Sequence, residues 1–298
     1  MSSSLFVLRR VGIASVVFSF ALVVWGAIVR INGAGMTCPD WPRCRGVWFP
    51  ALDPKVVYEF YHRVGAAALT VIVIAAFFAA WRARADAPSA FRAAWFSLGL
   101  IAAQVVAGAV TIVLKNDAPS VAVHLVLGFS TFVSLVVVTV LAYQAPERGV
   151  VRRAGTSFAW LALGSAVLAL IAVFAGGWMA ASNDGLACIA IPLCGATGAL
   201  TPDQQIQMSH RFAAYATIVA VAVTWIAALA TQRHNRPVII AVWCSFGLVM
   251  LQGILGALAV ASRLEPIIRS WHEANAALLV ASLVVTTLLA FRSPAAAR

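Results

Sequence analysis

Long apolar stretches alternate with short polar connections along the whole chain. Eight apolar segments stand out, at about 11–29, 57–81, 91–114, 119–143, 155–181, 205–231, 237–262 and 268–291. Each is near the ~20 residues an α-helix needs to cross the hydrocarbon core of a bilayer. A transmembrane β-barrel would show ~10-residue segments of alternating polarity instead. The pattern predicts eight membrane-spanning helices. The first segment follows Arg9 and Arg10 as a signal peptide would. Its apolar run is long and no small-residue cleavage site follows, so it is expected to stay as the first span.

Composition agrees. Of the 298 residues, 62% are hydrophobic and 10% charged, and the mean hydropathy is +0.94. Soluble domains are about a quarter charged. A soluble enzyme, a disordered chain and a coiled coil are excluded. The net charge of +11 comes from basic residues at the ends of apolar segments, not from runs. They read as orientation signals, and no nucleic-acid partner is expected. Twelve of the 21 lie in one set of connections: Arg9, Arg10, Arg82, Arg84, Arg92, Arg148, Arg152, Arg153, Arg233, Arg236, Arg292 and Arg298. Seven lie in the other set: Arg30, Arg43, Arg45, Lys55, Lys115, Arg263 and Arg269. The richer set marks the cytoplasmic side, so both termini are expected inside and linkers 30–56 and 182–204 outside.

The chain repeats itself. Cys38 and Cys44 match Cys188 and Cys194 at an offset of 150. His62-Arg63 matches His210-Arg211, Gln104 and Gly108 match Gln252 and Gly256, and His124 matches His272, all at an offset of 148. Four spans separate the copies, so both halves have one orientation. The expected fold is all-α: two tandem four-helix bundles, residues 1–150 and 151–298, related by a pseudo-twofold axis along the membrane normal.

Of the five histidines, His234 lies in an inside loop. The other four fall in spans 2, 4, 6 and 8, about three to six residues in, or roughly 5–9 Å from the helix start. Ionisable groups inside spans are costly and usually functional. Two histidines facing each other across a four-helix bundle can supply both axial ligands of a heme iron. Zinc would need further cysteine or carboxylate ligands that are not nearby in sequence. The expected pairs are His62 with His124 and His210 with His272, one per half. Arg63 and Arg211 suit a heme propionate, or equally a snorkelling role toward headgroups. Glu59 shares a helix face with His62 at i and i+3, and its counterpart is Gln207. An ionisable group kept in one copy only suggests proton transfer in the N-terminal pocket, against a plain interfacial carboxylate.

The cysteine pairs lie in the two long outside linkers. On an oxidising side they are expected to form the disulfides Cys38–Cys44 and Cys188–Cys194, with a thiol relay or metal site as the alternative. Cys244 is expected as a packing residue in span 7. The first loop carries Trp41, Trp48 and Phe49 among Arg43, Arg45 and Lys55. That mix suits guidance of a porphyrin, or an interfacial aromatic belt.

Taken together, Val29-Arg30 through Cys38-Pro39-Asp40-Trp41-Pro42, Glu59 with His62-Arg63, His124, His210-Arg211 and His272 resemble the heme A synthase family, in its bacterial type with a cysteine pair in each of two extracellular loops. The resemblance implies a plasma-membrane enzyme that oxidises the C8 methyl of heme O to a formyl group for terminal oxidases. It implies that Glu59 is catalytic, that His62 and His124 hold the substrate heme O, and that His210 and His272 hold a heme b. A heme O synthase as supplier and an electron donor or acceptor would be partners, with self-association left open. The second loop lacks the Asp-Trp of the first. A diheme b-type cytochrome and a heme transporter are the competing classes. Hemes that carry electrons across a membrane would sit at different depths, whereas all four histidines lie toward the outside.

Overall fold

The computed structural model describes residues 2–51, 53–145, 157–195 and 198–292. The expectations for Arg148, Arg152, Arg153 and Arg298, and for a boundary between 150 and 151, lie outside these residues. Eight helices follow one another: α1 Ser3–Ile31, α2 Pro54–Arg82, α3 Pro88–Val113, α4 Ala118–Tyr143, α5 Ser157–Ala181, α6 Pro202–Thr231, α7 Arg236–Ala261 and α8 Pro266–Ala290. All eight are long and apolar enough to span a membrane. Among the described residues there is no strand beyond a single bridge between Cys44 and Val47.

Most helices begin before their apolar segment does. Proline holds the first or second position of α2, α3, α4, α6, α7 and α8. Its missing N–H costs nothing there and its fixed φ suits a first turn. Side chains then meet the free amides. Asp53 accepts from Lys55 and Val56, Asp117 from Ser120, and Glu265 from Ile268. Thr201 and Gln204 form a reciprocal capping box on α6. Ser2 caps α1, which starts eight residues ahead of its apolar run and takes Arg9 and Arg10 into the helix. The tight α3–α4 and α7–α8 turns each close on two left-handed residues, Lys115-Asn116 and Arg263-Leu264.

The helices form two compact units, α1–α4 and α5–α8. In the first, α1 packs on α2 and α4, and α3 packs on α2 and α4. In the second, α5 packs on α6 and α8, and α7 packs on α6 and α8. Each is a closed ring of antiparallel neighbours. Small residues let the backbones approach, as expected where lipid offers no hydrophobic contrast. Ala76, Ala80, Ala90 and Ala94 are buried in the first unit, and Ala159, Ala162, Ala166 and Ala228 in the second. A Cβ on Gly12 would lie 2.7 Å from the Thr139 hydroxyl, so α1 and α4 touch there. Large apolar side chains point outward instead: Phe96 is 74% exposed and Val113 77%. A soluble surface rarely tolerates a continuous apolar coat of this kind, and a bilayer requires it. Arg9 donates to the carbonyls of Ala142 and Tyr143 and so closes the C-terminus of α4. Cys244 is free and exposed on α7, not packed inside as expected.

Replacing Asp53 with alanine removes the α2 cap and should lower stability by about 1 kcal/mol. Its ion pair with Arg45, 3.0 Å and half exposed on both sides, adds little. Thermal unfolding in detergent should therefore show a clear loss for Asp53→Ala and a much smaller one for Asp53→Asn, which still caps.

Candidate functional site

Each histidine of interest sits on an even-numbered helix. His62 and His210 lie eight residues into α2 and α6, and His124 and His272 lie six residues into α4 and α8. At ~1.5 Å per residue this is roughly 9–12 Å from the helix start. That is deeper than apolar segments alone suggest, because the helices begin at prolines ahead of them. His210 and His272 face each other with ring centres 6.5 Å apart and planes at 78°. Two imidazoles on opposite sides of one metal, with ~2 Å per metal–nitrogen bond, put their ring centres ~6 Å apart. The separation of the pair is of that size. His62 and His124 are near enough to act on each other electrostatically.

All four rings rest on glycines of the neighbouring odd-numbered helix. A Cβ would lie 3.0 Å from His62 Cε1 if added to Gly26, and 3.0 Å from His124 Cε1 if added to Gly108. For Gly176 against His210 the figure is 2.8 Å, and for Gly256 against His272 it is 3.3 Å. His210 Nδ1 lies 3.0 Å from the Ala172 carbonyl. A carbonyl only accepts, so Nδ1 carries the proton and Nε2 keeps a lone pair for a metal. Exposed His234 lies outside this arrangement and bonds Arg233. Among the described residues no group of three or more His, Cys, Asp and Glu side chains is arranged around a metal site; a heme iron takes its other four ligands from the porphyrin, so two suffice.

Glu59 and Arg63 face the loop between α1 and α2. The Glu59 carboxylate accepts from Thr37 Oγ1 at 2.9 Å, the Cys38 amide at 2.8 Å and Arg63 at 2.5 Å, and the side chain is almost wholly buried. Arg63 also donates to the carbonyls of Cys38, Asp40 and Arg43. The second unit repeats the design. Gln207 accepts from the Cys188 amide and donates to the Gly185 carbonyl. Arg211 donates to the carbonyls of Cys188, Ala190 and Pro192. The glutamate-to-glutamine change thus keeps one acceptor oxygen and exchanges the other for a donor. The loops are closed by the disulfides Cys38–Cys44 and Cys188–Cys194, with Cα atoms 4.5 and 4.6 Å apart.

The COX15-CtaA family, described as cytochrome oxidase assembly protein, matches residues 9–57 and 54–284. The chain belongs to this family. It is similar to the heme A synthase of Geobacillus kaustophilus, 30% identical over 91% of this chain and 88% of that protein. It is also similar to the heme A synthases of Bacillus pumilus, at 27% identity, and Bacillus licheniformis, at 28%, each over 87% of both chains.

For a family member of this kind, the sequence exposes the histidines, the cysteines and the Glu59–Gln207 contrast. It hides what holds them. Gly26 and Gly176 repeat at the same offset of 150 as the cysteines, a signal available without a structure. The grip of Arg63 and Arg211 on loop carbonyls left no such trace, because any backbone carbonyl can serve.

Asp40 organises the first loop alone, since its counterpart is Ala190. Its carboxylate accepts from the Gly46 amide at 2.8 Å and the Arg45 amide at 2.6 Å. These bonds hold the Asp40 carboxyl below the usual carboxylate range. A depressed carboxyl stabilises above its ordinary value and loses that effect as pH falls through the lower folded value. Hydrogen exchange should show the Arg45 and Gly46 amides protected at neutral pH, with protection failing only as pH falls below the ordinary carboxylate range. Asp40→Ala should abolish the protection at every pH.

Proposed function

We propose that this chain is a heme A synthase that oxidises the C8 methyl group of heme O to a formyl group. In this reading His62 and His124 hold heme O in the N-terminal half, and His210 and His272 hold a heme b in the C-terminal half. The observation that carries it is the glycine-seated histidine pair in each unit, with the 6.5 Å ring separation of His210 and His272 suited to one iron. Family membership supports the same reading. A bound heme b supplies one-electron redox chemistry.

The residues divide the work. The histidines orient the porphyrin by fixing its iron, and the glycines fix the histidines. Glu59 is the proposed catalytic group. Turning a methyl group into a formyl group adds one oxygen atom; with water as its source the change releases four electrons and four protons, and a carboxylate can accept a proton where the Gln207 amide cannot. Arg63 is paired with Glu59, whereas Arg211 is bonded to loop carbonyls, so Arg211 is the one of the two that leaves a net positive charge for the propionate end of a heme. The first loop, with Trp41, Trp48 and Phe49, guides heme O toward the N-terminal pair. Both termini are placed on the cytoplasmic side of the plasma membrane, on the strength of Arg9, Arg10, Arg82, Arg84, Arg92, Arg233, Arg236 and Arg292. A heme O synthase then delivers substrate from within the bilayer, and a separate acceptor takes the electrons.

Expression with a heme O supply, followed by chromatography of extracted hemes, tests the reading. Heme A or its hydroxymethyl precursor is the expected product. Heme b alone in both halves would make the chain a diheme cytochrome instead. Glu59→Gln should keep heme binding while heme A yield drops by ~10²-fold or more. The glycines give a graded prediction. Gly176→Ala, with the tightest approach, should cost most of the low-spin heme signal of the C-terminal half, and Gly256→Ala should cost little. Equal losses would mean the rings are not seated as described.

A further inference from the structure

Gln104 on α3 and Gln252 on α7 occupy equivalent places beside His124 and His272, yet they are held differently. The Gln104 amide nitrogen lies 3.4 Å from His124 Nε2. Its amide oxygen is buried without a partner, as is His124 Nδ1. Whichever way that amide is turned, it occupies Nε2, as a donor to its lone pair or as an acceptor from its N–H. An imidazole nitrogen has one lone pair, so Gln104 and an iron compete for it.

Gln252 does not compete in this way. Its nitrogen lies 3.3 Å from His272 Nδ1 and 3.2 Å from Nε2. A point equidistant from both ring nitrogens lies off the axis of either lone pair. The amide is kept there by two bonds: its nitrogen donates to the His272 carbonyl at 3.1 Å, and its oxygen accepts from Asn275 Nδ2 at 2.6 Å. Asn275 is itself buried and tied to the Leu248 carbonyl at 3.0 Å. Leu127 stands in the place of Asn275 in the first unit and offers no such bond. The next residue differs as well. Gly128 leaves the space where a Cβ would meet Gln104 Nε2 at 3.0 Å, and its counterpart is Ala276.

We propose that Leu127-Gly128, against Asn275-Ala276, makes the N-terminal histidine pair a site that exchanges its heme and the C-terminal pair a site that keeps it. This rests on the heme-binding reading above. Gln104 acts as a displaceable occupant of the ligand nitrogen, which weakens iron ligation and eases release. Asn275 is a positioning residue that withdraws Gln252 from that role. The ring bond from His210 to Ala172 adds to retention, whereas His62 Nδ1 is buried without a partner. A site that must pass on its product needs the first arrangement, and a permanent cofactor needs the second.

The test uses full-length protein purified in detergent and loaded with hemin, with apomyoglobin as acceptor. His62→Ala leaves only the C-terminal pair, and His210→Ala only the N-terminal pair, so each release rate is read alone. Asn275→Leu should speed heme loss from the C-terminal pair by ~10-fold or more, the usual scale for partners of a metal ligand. Gln104→Leu, and the double change Leu127→Asn with Gly128→Ala, should slow loss from the N-terminal pair by a similar factor. Slower release cannot arise from a damaged fold. Unchanged rates in all three variants, or faster release from the N-terminal ones, would overturn the inference. Heme A yield judges the proposed reaction separately: heme A formed by protein whose release rates ignore these changes removes this inference alone.

Discussion

A bulky ring can enter the seam between two packed helices only where the facing helix lacks a side chain. Each unit meets that constraint twice, most tightly at Gly176 and least tightly at Gly256. Gly26 and Gly108 admit the imidazoles of the first unit, Gly176 and Gly256 those of the second. The glycines set how closely α1 approaches α2 and α3 approaches α4, and α5 and α7 relate to α6 and α8 in the same way. The glycines therefore set how the imidazoles are seated, although they carry no side chain of their own.

A second layer of support comes from the α1–α2 and α5–α6 loops. Arg63 and Arg211 each gather three loop carbonyls, and Glu59 and Gln207 each take a cysteine amide. Backbone groups of an irregular loop near a membrane have few partners of their own, and leaving them unpaired is expensive. The two units solve this with the same arginine and differ in the neighbouring acid. In the first the guanidinium is neutralised by Glu59; in the second its described partners are all carbonyls.

The all-helical fold and the number of spans were legible in the chain because hydropathy reports burial in lipid directly. The histidines were legible because an ionisable group in a span is rare and a repeat makes coincidence hard to sustain. Helix starts were less so: an apolar window ignores Pro54, Pro202 and Pro266, which are polar-flanked but ideal first residues. Contacts between side chains and loop backbone were not legible at all, as for Arg63 with Cys38, Asp40 and Arg43. Such bonds depend on where a carbonyl points, and residue type says nothing about that. Cys244 shows the same limit from the other side, since a small apolar residue suits lipid as well as a core.

Positions 59, 62 and 63 share one face of α2, as 207, 210 and 211 do on α6. Two of each three fasten a disulfide-closed loop, and the third is the histidine. Cys38 is gripped through its amide, its carbonyl and its sulfur together. Along α2 the ring of His62 is thus bracketed by Glu59 and Arg63, the two residues that hold the loop, so loop and imidazole share one short stretch of helix.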